Sequence, residues 1–345
     1  MHTTDATRLQ HLPPQLQLSW EHRVLHFRTP AVTSRGALHT RSTYIVKATL
    51  PGCIGYGECC TMPGLLPEPG EEQMMQACEA VEKSHSIDVL HQTPSPIKFG
   101  IESAILSVLV QGRPRWETPF TQGKTGLQIH KLIWMADAAT MFRSMQDGIR
   151  QGFTCLKLKV GSLPFEQEAA LLQQAKSAFP NAAIRVDANG AFTPDEAPDK
   201  LYRLADIGVS CIEQPLAPGQ LSALQQLCRT SPLPIVLDEE LIAHASTHKT
   251  RQQLLEMLAP AAIVIKPSLH GGLLAALDWA QLAEQLGILW WINSALESSI
   301  GLTCLAEWCA QYAPDTLHGL GTGQLFTDDA PKHLRLLNNH LYYNA

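Results

Sequence analysis

From about residue 123 onward, short apolar runs alternate with longer stretches in which apolar residues recur every three or four positions. The short runs fall at 127–134, 154–160, 183–187, 209–213, 235–238, 262–266, 288–294 and 318–321, and read as strands. Helical periodicity fills 137–151, 165–179, 194–205, 221–229 and 273–286 between them. Eight strands alternating with helices over about 200 residues predict a (β/α)8-type barrel. An open doubly wound sheet is the alternative. No GxGxxG or P-loop motif supports it, and the spacing of Gly319, Gly321 and Gly323 has no helix after it. Residues 1–120 carry a different pattern. Strand-like runs at 17–27, 40–50 and 52–59 precede helical stretches at 71–83 and 98–111, the latter with Ile101, Ile105, Val108 and Leu109 at helical spacing. They predict an α+β unit ahead of the barrel. Within it lies a Pro/Gly-rich loop, 61–70, whose Met62, Leu65 and Leu66 would be awkward on an open surface.

Composition narrows the partners more than the fold. Hydrophobic content of 45% and charged content of 17% describe a soluble globular chain. A net charge of −6 without a basic stripe excludes a nucleic-acid partner. No apolar run reaches the roughly 20 residues that span a bilayer, and residues 1–10 lack the apolar core of a signal peptide. The nine cysteines are scattered, odd in number and free of CxxC pairs, which predicts reduced thiols and a cytoplasmic location. The sequence leaves the oligomeric state open.

The charged residues at the strand ends carry the chemistry. In 154–161, Leu156, Leu158 and Val160 alternate with Lys157 and Lys159, so both ammonium groups leave one face of a buried strand. Each must be paired, solvated or stripped of its proton. Carboxylates and a further lysine follow at intervals of 25 to 28 residues: Asp187, Glu213, Asp238 and Lys266. That interval is one strand–helix unit of a barrel, and the ends of such strands meet at the active-site face. Alone, Lys159 would be a solvated lysine, 187–190 a turn and 238–240 a surface charge run; at unit spacing they form one constellation. Three carboxylates on neighbouring strands are hard oxygen ligands suited to Mg2+ or Mn2+, and no His or Cys takes their place. Strands two and six lie opposite in an eight-strand ring, so Lys159 and Lys266 would face each other across a bound carboxylate. This suits removal of a proton next to that carboxylate, with the metal stabilising the resulting enediolate and Lys157 adding to the positive field.

Residues 156–161 (LKLKVG), 185–190 (RVDANG), 212–215 (IEQP), 237–241 (LDEEL) and 263–267 (IVIKP) resemble the enolase superfamily, in its muconate-lactonizing-enzyme subgroup. Residues 118–135, 294–302 (SALESSIGL) and 319–324 (GLGTGQ) are similar to its o-succinylbenzoate synthase family. The resemblance implies a modified (β/α)7β barrel over 121–324, with an α+β capping domain, 1–120, completed by the tail 325–345. It implies Lys159 as general base, Lys266 on the opposite face, and Asp187, Glu213 and Asp238 as Mg2+ ligands, with Mn2+ possible. Lys157, Asn189, Ser294, Glu297 and Ser298 are implied to bind a small-molecule carboxylate, and Arg185 to support Asp187. Ser298 or Ser299 also reads as a helix cap. The segment 59–64 (CCTMPG) has no match in the family pattern. The implied reaction is a dehydration. Racemisation of an N-succinylamino acid or epimerisation of a dipeptide uses the same groups. A Schiff-base aldolase built on Lys266 and a dicarboxylate-binding barrel are further alternatives. The three carboxylates argue against both, since a Schiff base needs no metal and a binder needs no second lysine.

Overall fold

The computed structural model describes residues 3–33, 36–323, 325–327, 329 and 333–344. Gln324, the last residue of the 319–324 stretch, and parts of the 325–345 tail lie outside them. Helix α1 (Thr3–Gln10) leads into a three-stranded antiparallel sheet, β1 (Gln17–Thr33), β2 (Gly36–Leu50) and β3 (Cys53–Cys60), in that order. The β1–β2 hairpin runs beyond the expected strands. A register break between His26 and Ala31, next to Pro30, hides this extension from a period-two reading. Helices α2 (Glu71–Ser84) and α3 (Ser95–Leu109) follow. The glycines of β3 are there for α3. A Cβ on Gly57 would lie 2.0 Å from the Gly100 carbonyl oxygen, and one on Gly55 2.2 Å from the Val108 nitrogen.

The expected strand 127–134 is two strands. β4 (Leu127–Gln128) joins the C-terminal hairpin, and β5 (Lys131–Ile133) opens the barrel. No Gly or Pro interrupts 127–134, so the sequence carries no turn signal at the break. The barrel then proceeds through α4 (Ala138–Arg150), β6 (Cys155–Lys159), α5 (Phe165–Ala178), β7 (Ala183–Asp187), α6 (Ala197–Ile207), β8 (Cys211–Glu213), α7 (Leu221–Thr230) and β9 (Ile235–Leu237). It continues with α8 (His248–Leu258), β10 (Ala262–Ile265), α9 (Leu273–Gln285), β11 (Leu289–Ile292) and α10 (Ser299–Tyr312). Strands β5 to β11 form one parallel sheet in sequential order. The expected eighth strand, 318–321, survives as two parallel bridges, Ile129–His318 and Asn293–Gly319, which join the edges of that sheet. Its glycines give a strand little to pack. The result is a barrel rather than an open sheet.

Hydrophobic burial sets which way each strand faces. Leu156, Leu158 and Val160 are at most 2% exposed and pack outward under the helices, turning Lys157 and Lys159 inward. After the barrel, residues 325–327 run beside β1, with Arg28 N donating to Leu325 O at 2.8 Å and the Phe27 and Phe326 rings in contact at 4.7 Å, tilted by 45°. The hairpin β12 (Leu334–Leu337) and β13 (His340–Tyr343) pairs with β4. All nine cysteines are unpaired. No helix among the described residues is long and apolar enough to cross a membrane.

Candidate active site

Five adjacent strands, β6 to β10, deliver the charged groups to one end of the barrel. Parallel register sets Lys159 opposite Asp187 and Asp187 opposite Glu213. Asp238 and Lys266 follow the last residues of β9 and β10. Asp187, Glu213 and Asp238 each offer an oxygen within 4.8 Å of the others, and all three are buried. Lys157 Nζ lies 2.5 Å from Glu213 Oε1 and 3.0 Å from Asp187 Oδ2. Lys159 Nζ donates to Asp187 Oδ2 and to Asn189 Oδ1, each at 2.7 Å. Lys266 Nζ lies 2.5 Å from Asp238 Oδ2. These are the carboxylates that the paired lysines of β6 require.

Burial and charge pull these groups apart. Burial pushes the Glu213 carboxyl well above its usual range, and the negative Asp187 beside it adds to this. Burial alone would also raise Asp187, but the ammonium groups of Lys157 and Lys159 hold it far below the carboxylate range. Lys157 and Lys266 lose solvation on burial, yet Asp187 and Glu213 raise the first and Asp238 and Glu239 the second. The carboxylates thus compete for too few cations. Asp238 Oδ1 is buried without a hydrogen-bond partner. An orphaned oxygen in an oxygen-only donor set fits a hard divalent cation held by Asp187, Glu213 and Asp238.

A cavity opens at the same barrel end. Of the residues singled out in the sequence, Lys157, Lys159, Asn189, Lys266 and Ser294 line it. Glu297 and Ser298 do not. The chain turns at Leu296 through the left-handed region (φ 65°), and Glu297 folds back beneath the wall. There it accepts from Ser294 Oγ at 2.6 Å and from Ala295 N at 2.7 Å. Ser298 caps α10, accepting from Ile300 N, and donates its hydroxyl to Glu58 at 2.6 Å. Arg185 stays inside the barrel, its guanidinium 4.1 Å over the Trp291 ring.

Other lining residues were not singled out from the sequence. His130, Leu132 and Trp134 reach the cavity from the β5 segment, and Glu239, Asn293 and Thr322 from later loops. The two-residue spacing of 130, 132 and 134 was a usable signal, masked by the reading of one long strand. Glu239 accepts from Asn189 Nδ2 at 2.8 Å; in sequence it is one more charge in a run. Met62 and Leu65 line the cavity from the loop after β3.

A family model described as enolase C-terminal domain-like matches residues 140–337. The o-succinylbenzoate synthase of Desulfotalea psychrophila (strain LSv54) is 37% identical, covering 92% of this chain and 96% of that one. The crystal structure of MenC from Desulfotalea psychrophila LSv54 superposes with a TM-score of 0.81 at 33% identity, over 95% of this chain and 99% of that chain. The L-Ala-D/L-Glu epimerase of Bacillus subtilis (strain 168) is 27% identical over 81% of each chain. With the family model over the larger part of the sequence, and a relative above 30% identity over nearly all of it, this chain belongs to the enolase superfamily.

Proposed function

We propose that this protein catalyses the o-succinylbenzoate synthase reaction: loss of water from 2-succinyl-6-hydroxy-2,4-cyclohexadiene-1-carboxylate to give 2-succinylbenzoate, a step of menaquinone biosynthesis. The observation that carries this reading is the similarity, 37% identical over 92% of this chain, to an o-succinylbenzoate synthase. The cavity supports it: Lys157, Lys159 and Lys266 line the place where a substrate carboxylate would meet the ion, and the carboxylate lining it, Glu239, is engaged with Asn189.

Asp187, Glu213 and Asp238 would hold Mg2+, with Mn2+ fitting the same donors; bound there, the ion would stabilise the negative charge that develops on the substrate carboxylate. Lys159 takes the proton from ring carbon C1 and returns one to the hydroxyl on C6. The C1–H and C6–O bonds break, a C1–C6 double bond forms, water leaves and the ring becomes aromatic. Both transfers lie on one face, so one amine serves as base and acid. Asp187 and Asn189 fix its position. Lys266 keeps its proton under the pull of Asp238 and Glu239, and offers positive charge to the other face of the ring. In this reading residues 1–120 cap the barrel of 121–324, the tail 325–345 ties the two, and Met62, Leu65, Trp134 and Leu296 exclude water. A second lysine across the cavity also suits a racemase, which would exchange protons on both faces. An assay on the cyclohexadiene substrate with and without Mg2+ tests the proposal. Rapid α-proton exchange from both enantiomers of N-succinylamino acids in D2O, with no o-succinylbenzoate formed, would overturn it in favour of the racemase.

A further inference from the structure

Glu297 lies in the stretch most similar to the o-succinylbenzoate synthase family, yet its side chain is 1% exposed and faces away from the cavity. We propose that Glu297 is a positioning residue that sets Lys266 through Ser268 and does not touch the substrate; the proposal rests on the role given to Lys266 above. Its carboxylate accepts three hydrogen bonds. Oε1 accepts from Ser268 Oγ, and Oε2 from Ser294 Oγ and Ala295 N. Ser294 Oγ in turn accepts from Leu296 N at 3.0 Å and from Thr322 Oγ1 at 2.8 Å. One carboxylate thus ties together the segments that follow β10 and β11 and the 318–323 segment.

The arm to Ser268 matters most for chemistry. Ser268 is two residues beyond Lys266, in a turn braced at both ends. Leu269 N and His270 N donate to Lys266 O at 2.8 and 2.9 Å, Gly272 N donates to Pro267 O at 2.9 Å, and Lys266 N donates to His270 Nδ1 at 3.0 Å. A turn held this way moves as a unit, so displacing Ser268 displaces the root of the Lys266 side chain. Ser268 is fully buried, so water cannot take over a lost contact. The other side of Glu297 faces the N-terminal unit. Ser298, its neighbour, is bound by Glu58, and Arg41 beside them holds the Thr61 carbonyl at 2.9 Å, at the root of the loop that carries Met62 and Leu65.

Ser268→Ala cuts the arm to Lys266 and leaves the rest of the hub. It should lower kcat roughly tenfold with KM within about twofold, as for a group misplaced in the transition state alone. Glu297→Ala should lose at least as much. Glu297→Gln should recover most of the loss, because its carbonyl can still accept from Ser294 and Ala295 while its amide donates to a rotated Ser268 hydroxyl. The Ser268→Ala/Glu297→Gln double variant should be no worse than Ser268→Ala, since both act through one contact. A readout independent of substrate is the rate at which acetic anhydride labels Lys266, followed by mass spectrometry. It should change severalfold in Ser268→Ala and far less in Glu297→Gln. Wild-type labelling and kcat in Ser268→Ala with a lowered melting temperature would reduce the contact to structural support and overturn the proposal. A tenfold rise in KM at constant kcat in Glu297→Gln would show contact with substrate and overturn it as well. If the wild-type protein makes no o-succinylbenzoate, the proposed reaction fails while the labelling still decides the positioning role.

Discussion

Glu58 gives the most direct test of how the N-terminal sheet is held to the barrel. It is buried at the end of β3 and accepts from Ser298 N at 2.9 Å, Ser298 Oγ at 2.6 Å, Gly301 N at 3.0 Å and Thr43 Oγ1 at 3.0 Å. Three of these donors sit in the first turn of α10, where a carboxylate also meets the positive end of the helix dipole. In Glu58→Ala the hydroxyls re-aim, since Thr43 Oγ1 already has the Cys59 carbonyl at 3.0 Å. The two amides cannot. Each buried N–H left unpaired costs about 1–3 kcal/mol. Against this stands the burial of the carboxyl itself, which raises its pKa despite Arg41 and Ser298 and is relieved by the substitution. The balance is a loss of about 3 kcal/mol. Glu58→Gln keeps an oxygen for the amides and should lose about 1 kcal/mol. Urea unfolding followed by tryptophan fluorescence measures both. Equal losses for the two variants, or a loss in Glu58→Ala well under about 1 kcal/mol, would refute the reasoning.

Other outcomes follow from the same geometry. Lys159→Ala should lower kcat by about a thousandfold or more in the o-succinylbenzoate assay while the melting temperature barely moves, because Lys157, the other amine on that strand face, is held protonated between Asp187 and Glu213. Asp187→Asn should abolish Mg2+ binding in calorimetry, and EDTA should silence the wild-type enzyme; calorimetric Mg2+ binding retained by the variant would reassign the ligands. Burial pushes Glu102 up to about 7, the Leu273 amide and Lys98 opposing it. A folded carboxyl raised this way stabilises fully below about 4.5, and roughly 3 kcal/mol is lost as pH rises through 7. Glu102→Gln should flatten that slope in pH-dependent melts. The 61–66 loop should resist limited proteolysis better with product bound, and equal cleavage rates would argue against closure.

The barrel and its charged rim were legible because both rest on periodicity. Alternation in 154–160 gave the inward face of β6, and unit spacing gave the strand ends. What periodicity cannot express was missed. The run 127–134 hides a change of partner, from β13 to β6, because no Gly or Pro marks the break. The 318–321 segment pairs through only two bridges among the described residues, and its glycines serve close approach. A Cβ on Gly319 would lie 2.0 Å from Asn293 Oδ1. The direction of Glu297 was illegible for a different reason. It depends on one left-handed residue, Leu296, and nothing in the leucine side chain announces a positive φ. The N-terminal carboxylates Glu58 and Glu102 were illegible as a pair. Their partners, Ser298 and Leu273, lie 240 and 171 residues away.

Charge accounting joins the rim to the chemistry. Around the mouth stand the carboxylates of Asp187, Glu213, Asp238 and Glu239 and the ammonium groups of Lys157 and Lys266; with Lys159 neutral, as a base must be, two negative charges are left uncompensated. Burial, with the charge of Asp187 beside it, pushes the Glu213 carboxyl upward. Under the proposed reading a divalent cation held there would offset those two charges, and the ring carboxylate would bring one negative charge into the mouth. Proton removal leaves that total unchanged, since Lys159 gains the positive charge of the proton that the substrate gives up. Return of the proton to the departing hydroxyl releases neutral water. No step changes the net charge in a cavity walled by Met62, Leu65, Trp134 and Leu296, where an added unpaired charge would be most costly. A racemase also conserves charge on this account, but it must move a proton between Lys159 and Lys266. Asp238, 2.5 Å from the Lys266 ammonium, opposes release of that second proton and so favours the one-lysine elimination.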